Sequence, residues 1–126
     1  MDAQAEERSL RIGILGAARI AKDGIVMPAK ALGHQVVGIA ARAHGRAAAF
    51  AREHGIPRVH RTYADLIADP EVDLVYNALV NSVHAPWNIA ALQGGKHVLS
   101  EKPLTSNAAE ARAIRRVAQA SPGWIV

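Results

Sequence analysis

The chain contains no cysteine, which excludes a disulfide framework and a thiolate metal site. Aromatic residues are scarce, at 4% of 126 residues, too few for a base-stacking platform. No apolar stretch approaches the roughly 20 residues that a membrane-spanning helix needs, so no membrane partner is expected. Met1 to Leu10 is polar and carries acids, unlike the basic start and apolar run of a signal peptide. A soluble, cytoplasmic protein is the default expectation. Concentrated positive charge is also missing. The formal net charge is +4, yet no lysine–arginine run is longer than the pair Arg115-Arg116. A nucleic-acid surface needs its charge gathered on one face, so the scattered arginines read as solvated helix faces and no nucleic-acid partner is expected. The histidines (His34, His44, His54, His60, His84 and His97) show no ligand spacing, and no metal is expected.

What is present is apolar content of 50%, enough for one buried core, arranged as alternating strand and helix patterns. Arg11-Ile-Gly-Ile-Leu15 reads as a buried strand. A helix from about Ala18 to Lys22 should be interrupted at Gly24, with Pro28 opening a second short helix that Gly33 closes. Gln35–Ala40 is a strand covered on both faces, His44–His54 a helix with Ala47, Ala48, Phe50 and Ala51 inward, and Arg58–His60 a very short strand. Tyr63–Ala68 is a short helix before the Asp69-Pro70 turn. Asp73–Asn77 and His97–Ser100 are strands, with a helix over Pro86–Gln93 between them. A long helix over Ser106–Ala120 is capped by Ser106, and Trp124-Ile-Val126 starts a sixth strand. Strands that alternate with helices across short links specify βαβ units. The fold class is therefore α/β: a Rossmann-type doubly wound parallel sheet of about six strands over residues 11–126, after a flexible segment over residues 1–10.

Gly13-Ile-Leu-Gly16-Ala17-Ala18-Arg19-Ile20-Ala21 lies at the first strand-to-helix junction. Read against G-x-G-x-x-G/A, Gly16, Ala18 and Ala21 fill the successive positions, in a place where backbone amides and a helix N-terminus can meet a pyrophosphate. The alternative is a turn using glycine for geometry alone. Ala18 departs from the pattern, since its methyl group is expected to crowd the phosphates. The second strand ends Ile39-Ala40-Ala41-Arg42 without the Asp or Glu that an NAD ribose 2′-hydroxyl wants. Arg42 suits a 2′-phosphate or the adenine face, which favours NADP over NAD. An exposed residue opening the next helix is the competing reading.

Two further stretches fall at the carboxyl ends of the fourth and fifth strands: Tyr76-Asn77-Ala-Leu-Val80-Asn81-Ser-Val-His84-Ala-Pro-Trp87 and Gly95-Lys-His-Val-Leu-Ser-Glu101-Lys102-Pro103. Together with the glycine loop they strongly resemble the glucose–fructose oxidoreductase/inositol dehydrogenase (Gfo/Idh/MocA) family. Within it they look most like the branch that includes dimeric dihydrodiol dehydrogenase. The resemblance covers Arg11 to Val126 and implies a nicotinamide dinucleotide as partner, with hydride transfer to or from a sugar, polyol or related compound.

The resemblance further implies that Lys102 is catalytic. The cofactor would be bordered by Gly13, Gly16, Ala17, Ala18, Arg19, Ile20, Ala41, Arg42, Asn77, Val80, Asn81, His84, Glu101 and Lys102. Glu101 would orient Lys102 or a cofactor hydroxyl. His84 is either a cofactor contact or a structural cap of the next helix. Val80 stands where the family usually has proline. The family's second α/β domain carries the general-base histidine, binds substrate and commonly forms the dimer interface. The chain is expected to stop before it, so substrate binding requires that domain, and any homo-oligomer would have to form without that interface. A non-catalytic NADP-binding module or inactive fragment is the alternative function.

Overall fold

A computed structural model describes residues 9–126. The expected flexible segment lies outside the described residues as far as Arg8. Leu10 itself is tied down, its N–H donating to His34 Nδ1 at 3.0 Å while its carbonyl accepts from Gln35.

The elements, in chain order, are β1 (Arg11–Leu15), α1 (Arg19–Ala21), a π-helical turn (Lys22–Val26), α2 (Met27–Leu32), β2 (Gln35–Ala40), α3 (His44–His54) and β3 (Arg58–Val59). They continue with α4 (Tyr63–Ala68), β4 (Leu74–Asn77), a 3-10 turn (Asn81–Val83), α5 (His84–Gln93), β5 (His97–Ser100) and α6 (Ala108–Ala120). The sheet has five strands in the order β3-β2-β1-β4-β5, and every pairing is parallel. Trp124–Val126 lies along the outer side of β5 as a single parallel bridge, Val98 to Ile125, so the expected sixth strand is only begun.

Strand alternation sends successive side chains to opposite faces and builds two cores. Ile12, Ile14, Ile39, Leu74 and Tyr76 meet Ala21, Ile25, Val26, Ala29, Ala47 and Ala51 on one face. Leu15, Ala40, Val75 and Val98 meet Leu66, Ile67, Ala85, Ala91, Leu92 and Ile114 on the other. Burying each large aliphatic side chain contributes roughly 1.5–3 kcal/mol, and this is the main force holding the layers together.

Gly24 does not interrupt the first helix. Pro28 has no N–H to offer the carbonyl four residues back, and the helix widens through the preceding π turn, where Met27 N–H bonds to Lys22 O. At Gly24 the helix passes so close to the Tyr76 hydroxyl that an added β-carbon would overlap it. α5 begins earlier than expected, at His84, because the 3-10 turn leads straight into it. The cap of α6 is Asn107 rather than Ser106: its side chain accepts from Glu110 N–H, and the Glu110 carboxylate accepts from Ser106 N–H.

The amino ends of the strands carry an ionic lock. Arg11 grips Asp73 through Nε at 3.0 Å and Nη2 at 2.9 Å, and also pairs with Glu71. Asp69 accepts from Arg58 at 2.9 Å, from Glu71 N–H at 2.8 Å, and bonds to His60 Nε2. Lys96 is buried, its ammonium donating to the carbonyls of Asp69 and Val72.

The Glu71 N–H, then His60 and Arg58, hold the Asp69 carboxyl well below the usual carboxylate range, at about 2. A carboxyl depressed on folding adds stability above its unfolded value near 3.8 and loses it as pH falls toward about 2. Urea midpoints measured at roughly pH 5 and roughly pH 3 should therefore fall more steeply for the natural protein than for Asp69→Asn. Equal slopes would assign the acid sensitivity elsewhere.

Candidate dinucleotide site

Because all strands run parallel, their carboxyl ends share one edge, and the loops leaving them are stitched side by side. Gly16 N–H donates to Ala40 O at 2.8 Å, Ala78 N–H to Leu15 O at 2.9 Å, and Glu101 N–H to Asn77 O at 3.0 Å. The three sequence motifs and the end of β2 thus converge on a single rim. Its centre lies between β1 and β4, where the strand order reverses direction.

Gly16 makes the turn. Its φ is 99°, a conformation L side chains rarely adopt, and a β-carbon would stand 3.1 Å from Ala78 O. The helix that follows has Ala18 as N-cap with no side-chain hydrogen bond, so no side chain of the described residues claims its first-turn N–H groups. Ala17 and Ala18 pack partly against the core, which turns the departure at Ala18 inward. Arg19 and Ile20 are exposed at the mouth. Ala41 is half-buried and Arg42 exposed beside it at the end of β2; Arg42 makes no hydrogen bond or ion pair with the described residues.

Gly13 is not part of the loop. It sits inside β1, where a β-carbon would collide with Leu66, so it makes room for the helical layer. Asn77 also faces inward. Its amide donates to Asn88 Oδ1 at 2.9 Å and to His84 O at 3.2 Å, and its oxygen accepts from Leu79 N–H at 3.1 Å. His84 is 1% exposed, with one ring nitrogen against Leu79 O and the other against Pro103 O. Both side chains are consumed by the framework, which removes them from direct ligand contact and leaves His84 as a clasp between two rim loops.

Asn88 extends the clasp, its amide reaching Ser100 Oγ at 3.1 Å and Leu104 O at 3.4 Å. Val80, Asn81 and Lys102 are exposed on the rim. Glu101 is half-buried, and its Oε2 accepts from the Tyr76 hydroxyl. Burial first, and then that carboxylate, push the Tyr76 hydroxyl well above its ordinary value, so it stays a donor throughout the neutral range. Sequence reasoning does not single out Tyr76, Gly24 or Asn88 as parts of the site. The signals it had to work with are a phenol and an amide ending an otherwise apolar strand, and an asparagine inside the apolar helix His-Ala-Pro-Trp-Asn-Ile-Ala-Ala-Leu.

A cleft of about 410 Å³ lies at the opposite edge, between Gly33, Gln35, Gly55 and Pro57. Gly33 and Gly55 close α2 and α3 at their C-termini, where the helix dipole disfavours an anion. The helix N-terminus open to an anion lies at the Gly16 edge instead. Among the described residues, no helix is long and apolar enough to cross a membrane, and no three acids or histidines cluster as metal ligands.

The sequence model of the Gfo/Idh/MocA oxidoreductase family, NAD-binding Rossmann fold, matches residues 10–123. The chain belongs to this family. A D-xylose 1-dehydrogenase (NADP(+)) of Haloferax volcanii is 43% identical over 105 residues, covering 83% of this chain and 32% of that protein. A trans-1,2-dihydrobenzene-1,2-diol dehydrogenase of Xenopus tropicalis is 41% identical over 100 residues, covering 78% of this chain and 30% of that protein. A 3-ketoreductase of Actinomadura kijaniata, solved with NADP, superposes with a TM-score of 0.82 at 35% identity, over 90% of this chain and 36% of its own. This Gfo/Idh/MocA domain therefore spans about a third of the length of the relatives it matches.

Replacing Asn88 with Leu keeps the side chain's size but removes an acceptor from the buried Asn77 amide and the donor to Ser100 Oγ and Leu104 O. The expected cost is about 1–3 kcal/mol in urea unfolding, accompanied by faster amide exchange across Leu79–His84. An unchanged midpoint would show that the clasp contributes nothing.

Proposed function

We propose that the chain binds NADP in preference to NAD and serves an oxidoreductase acting on a sugar, polyol or related hydroxyl or carbonyl compound. The observation that carries this reading is the cradle at Gly16: a left-handed glycine packed closely against Ala78, followed by a helix N-terminus without a side-chain cap among the described residues. Backbone N–H groups there suit a pyrophosphate. Arg42, exposed and unpaired among the described residues at the end of β2, suits a 2′-phosphate, and no carboxylate stands in its place to repel one. The NADP(+) in the name of the Haloferax volcanii relative and the NADP in the Actinomadura kijaniata complex support the same preference.

The bound dinucleotide would supply or accept the hydride. Lys102 is the proposed catalytic residue, its ammonium holding the substrate oxygen and stabilising the negative charge that gathers on it. Glu101 and Pro103 flank Lys102 and hold its backbone to the rim. Substrate selection and the general base are assigned to the second domain that the family resemblance implies.

Fluorescence titration should show NADPH binding about 10-fold or more tightly than NADH, the worth of a charge-assisted contact to the extra phosphate. Arg42→Ala should close most of that gap by weakening NADPH while leaving NADH unchanged. Tighter binding of NADH by the natural chain would overturn the NADP preference.

A further inference from the structure

A buried phenol must place its hydroxyl proton somewhere, and Tyr76 is 1% exposed. It sits at the end of the apolar packing before the rim, facing the helix that follows the glycine loop. The acceptor it takes is the carboxylate of Glu101, on the next strand's loop and directly before Lys102. The approach is made possible by Gly24: a β-carbon there would overlap the Tyr76 hydroxyl and stand 3.1 Å from Glu101 Oε2. Glu101 is also fixed at its backbone, with N–H on Asn77 O at 3.0 Å and its carbonyl accepting from Ser100 Oγ at 3.1 Å.

Lys102 has no such partners among the described residues; its position comes from its two neighbours. Glu101 is held by Tyr76 on one face of the sheet, and the Pro103 carbonyl is held by His84 on the other. The Gly16 loop takes the pyrophosphate and the end of β2 takes the adenosine ribose. The β4–β5 side of the rim is then left for the nicotinamide end.

We infer that Tyr76, seated against Gly24, is a positioning residue for that end of the cofactor, acting through Glu101 and the Lys102 bend. This rests on the proposed dinucleotide function. It assigns the pair Tyr76–Glu101 to one half of the ligand only, which makes it separable from general stability. Oε1 of Glu101 accepts nothing from the described residues and remains available to a hydroxyl of the ligand.

Tyr76→Phe removes the hydroxyl and keeps the ring. Calorimetric titration of the 126-residue chain is read with two probes. NADPH covers both ends of the site; adenosine 2′,5′-bisphosphate covers only the adenosine end. The expected result is a loss of about 5- to 10-fold for NADPH, the worth of one hydrogen bond, with adenosine 2′,5′-bisphosphate unchanged. In a Glu101→Gln background the same substitution should add less than about 2-fold, because the two act as one unit. Equal losses for both probes, full retention of NADPH affinity, or additive losses with Glu101→Gln would each overturn the positioning role. If the natural chain binds neither probe, the dinucleotide reading falls and this inference with it. If it binds both and Tyr76→Phe changes nothing, only the inference falls.

Discussion

The parallel pairing of β1 with β4 is the constraint on which the rest of the molecule depends. Ile12 to Leu15 align with Leu74 to Asn77, so the two strands end level. Each loop leaving the sheet can then donate to the strand beside it, as Ala78 does to Leu15 and Glu101 to Asn77. A slip of one residue would reverse the facing of every side chain on β4. Tyr76 would turn away from Gly24, and Asn77 would turn away from Asn88 and His84.

Charge is handled differently at the two edges of that sheet. At the amino edge Arg11, Arg58 and Lys96 are all engaged by carboxylates or carbonyls. Exposed pairs of this kind are worth only about 0–1 kcal/mol each, less than one buried leucine, so they do not explain the stability of the domain. Their consequence is electrostatic. Arg11 and Arg58 are neutralised at the amino edge, while Arg19, Arg42 and Lys102 stay unpaired among the described residues at the edge with the open helix N-terminus.

The parts of this arrangement that follow from periodicity are legible in the amino-acid order itself. Gln35–Ala40, His44–His54, Tyr63–Ala68 and His97–Ser100 form the elements their patterns and flanking glycines specify. The parts that are not legible depend on partners distant in sequence. Gly24 reads as a helix breaker until Tyr76 is known to lie against it. The resemblance offers Asn77 as a ligand contact and His84 as either a contact or a structural cap of the next helix; which hydrogen bonds engage their side chains depends on Asn88 and Pro103, distant in sequence. Ser106 and Asn107 are both good caps. Asn107 takes the position because its side chain reaches Glu110 N–H while the Glu110 carboxylate returns to Ser106.

The rim thus separates two kinds of polar residue that look alike in sequence. Asn77, His84 and Asn88 are buried and carry their hydrogen bonds inward, so altering one leaves a partner unsatisfied and costs stability. Arg19, Arg42, Asn81 and Lys102 are exposed, and a change there leaves the cores untouched. Glu101 stands between the groups, half-buried, with one oxygen committed to Tyr76 and the other free among the described residues. A frame built this way lets the exposed rim set vary at little cost to folding. That is the physical condition for one Rossmann scaffold to serve relatives whose names record a xylose, a dihydrodiol and a keto group as their targets.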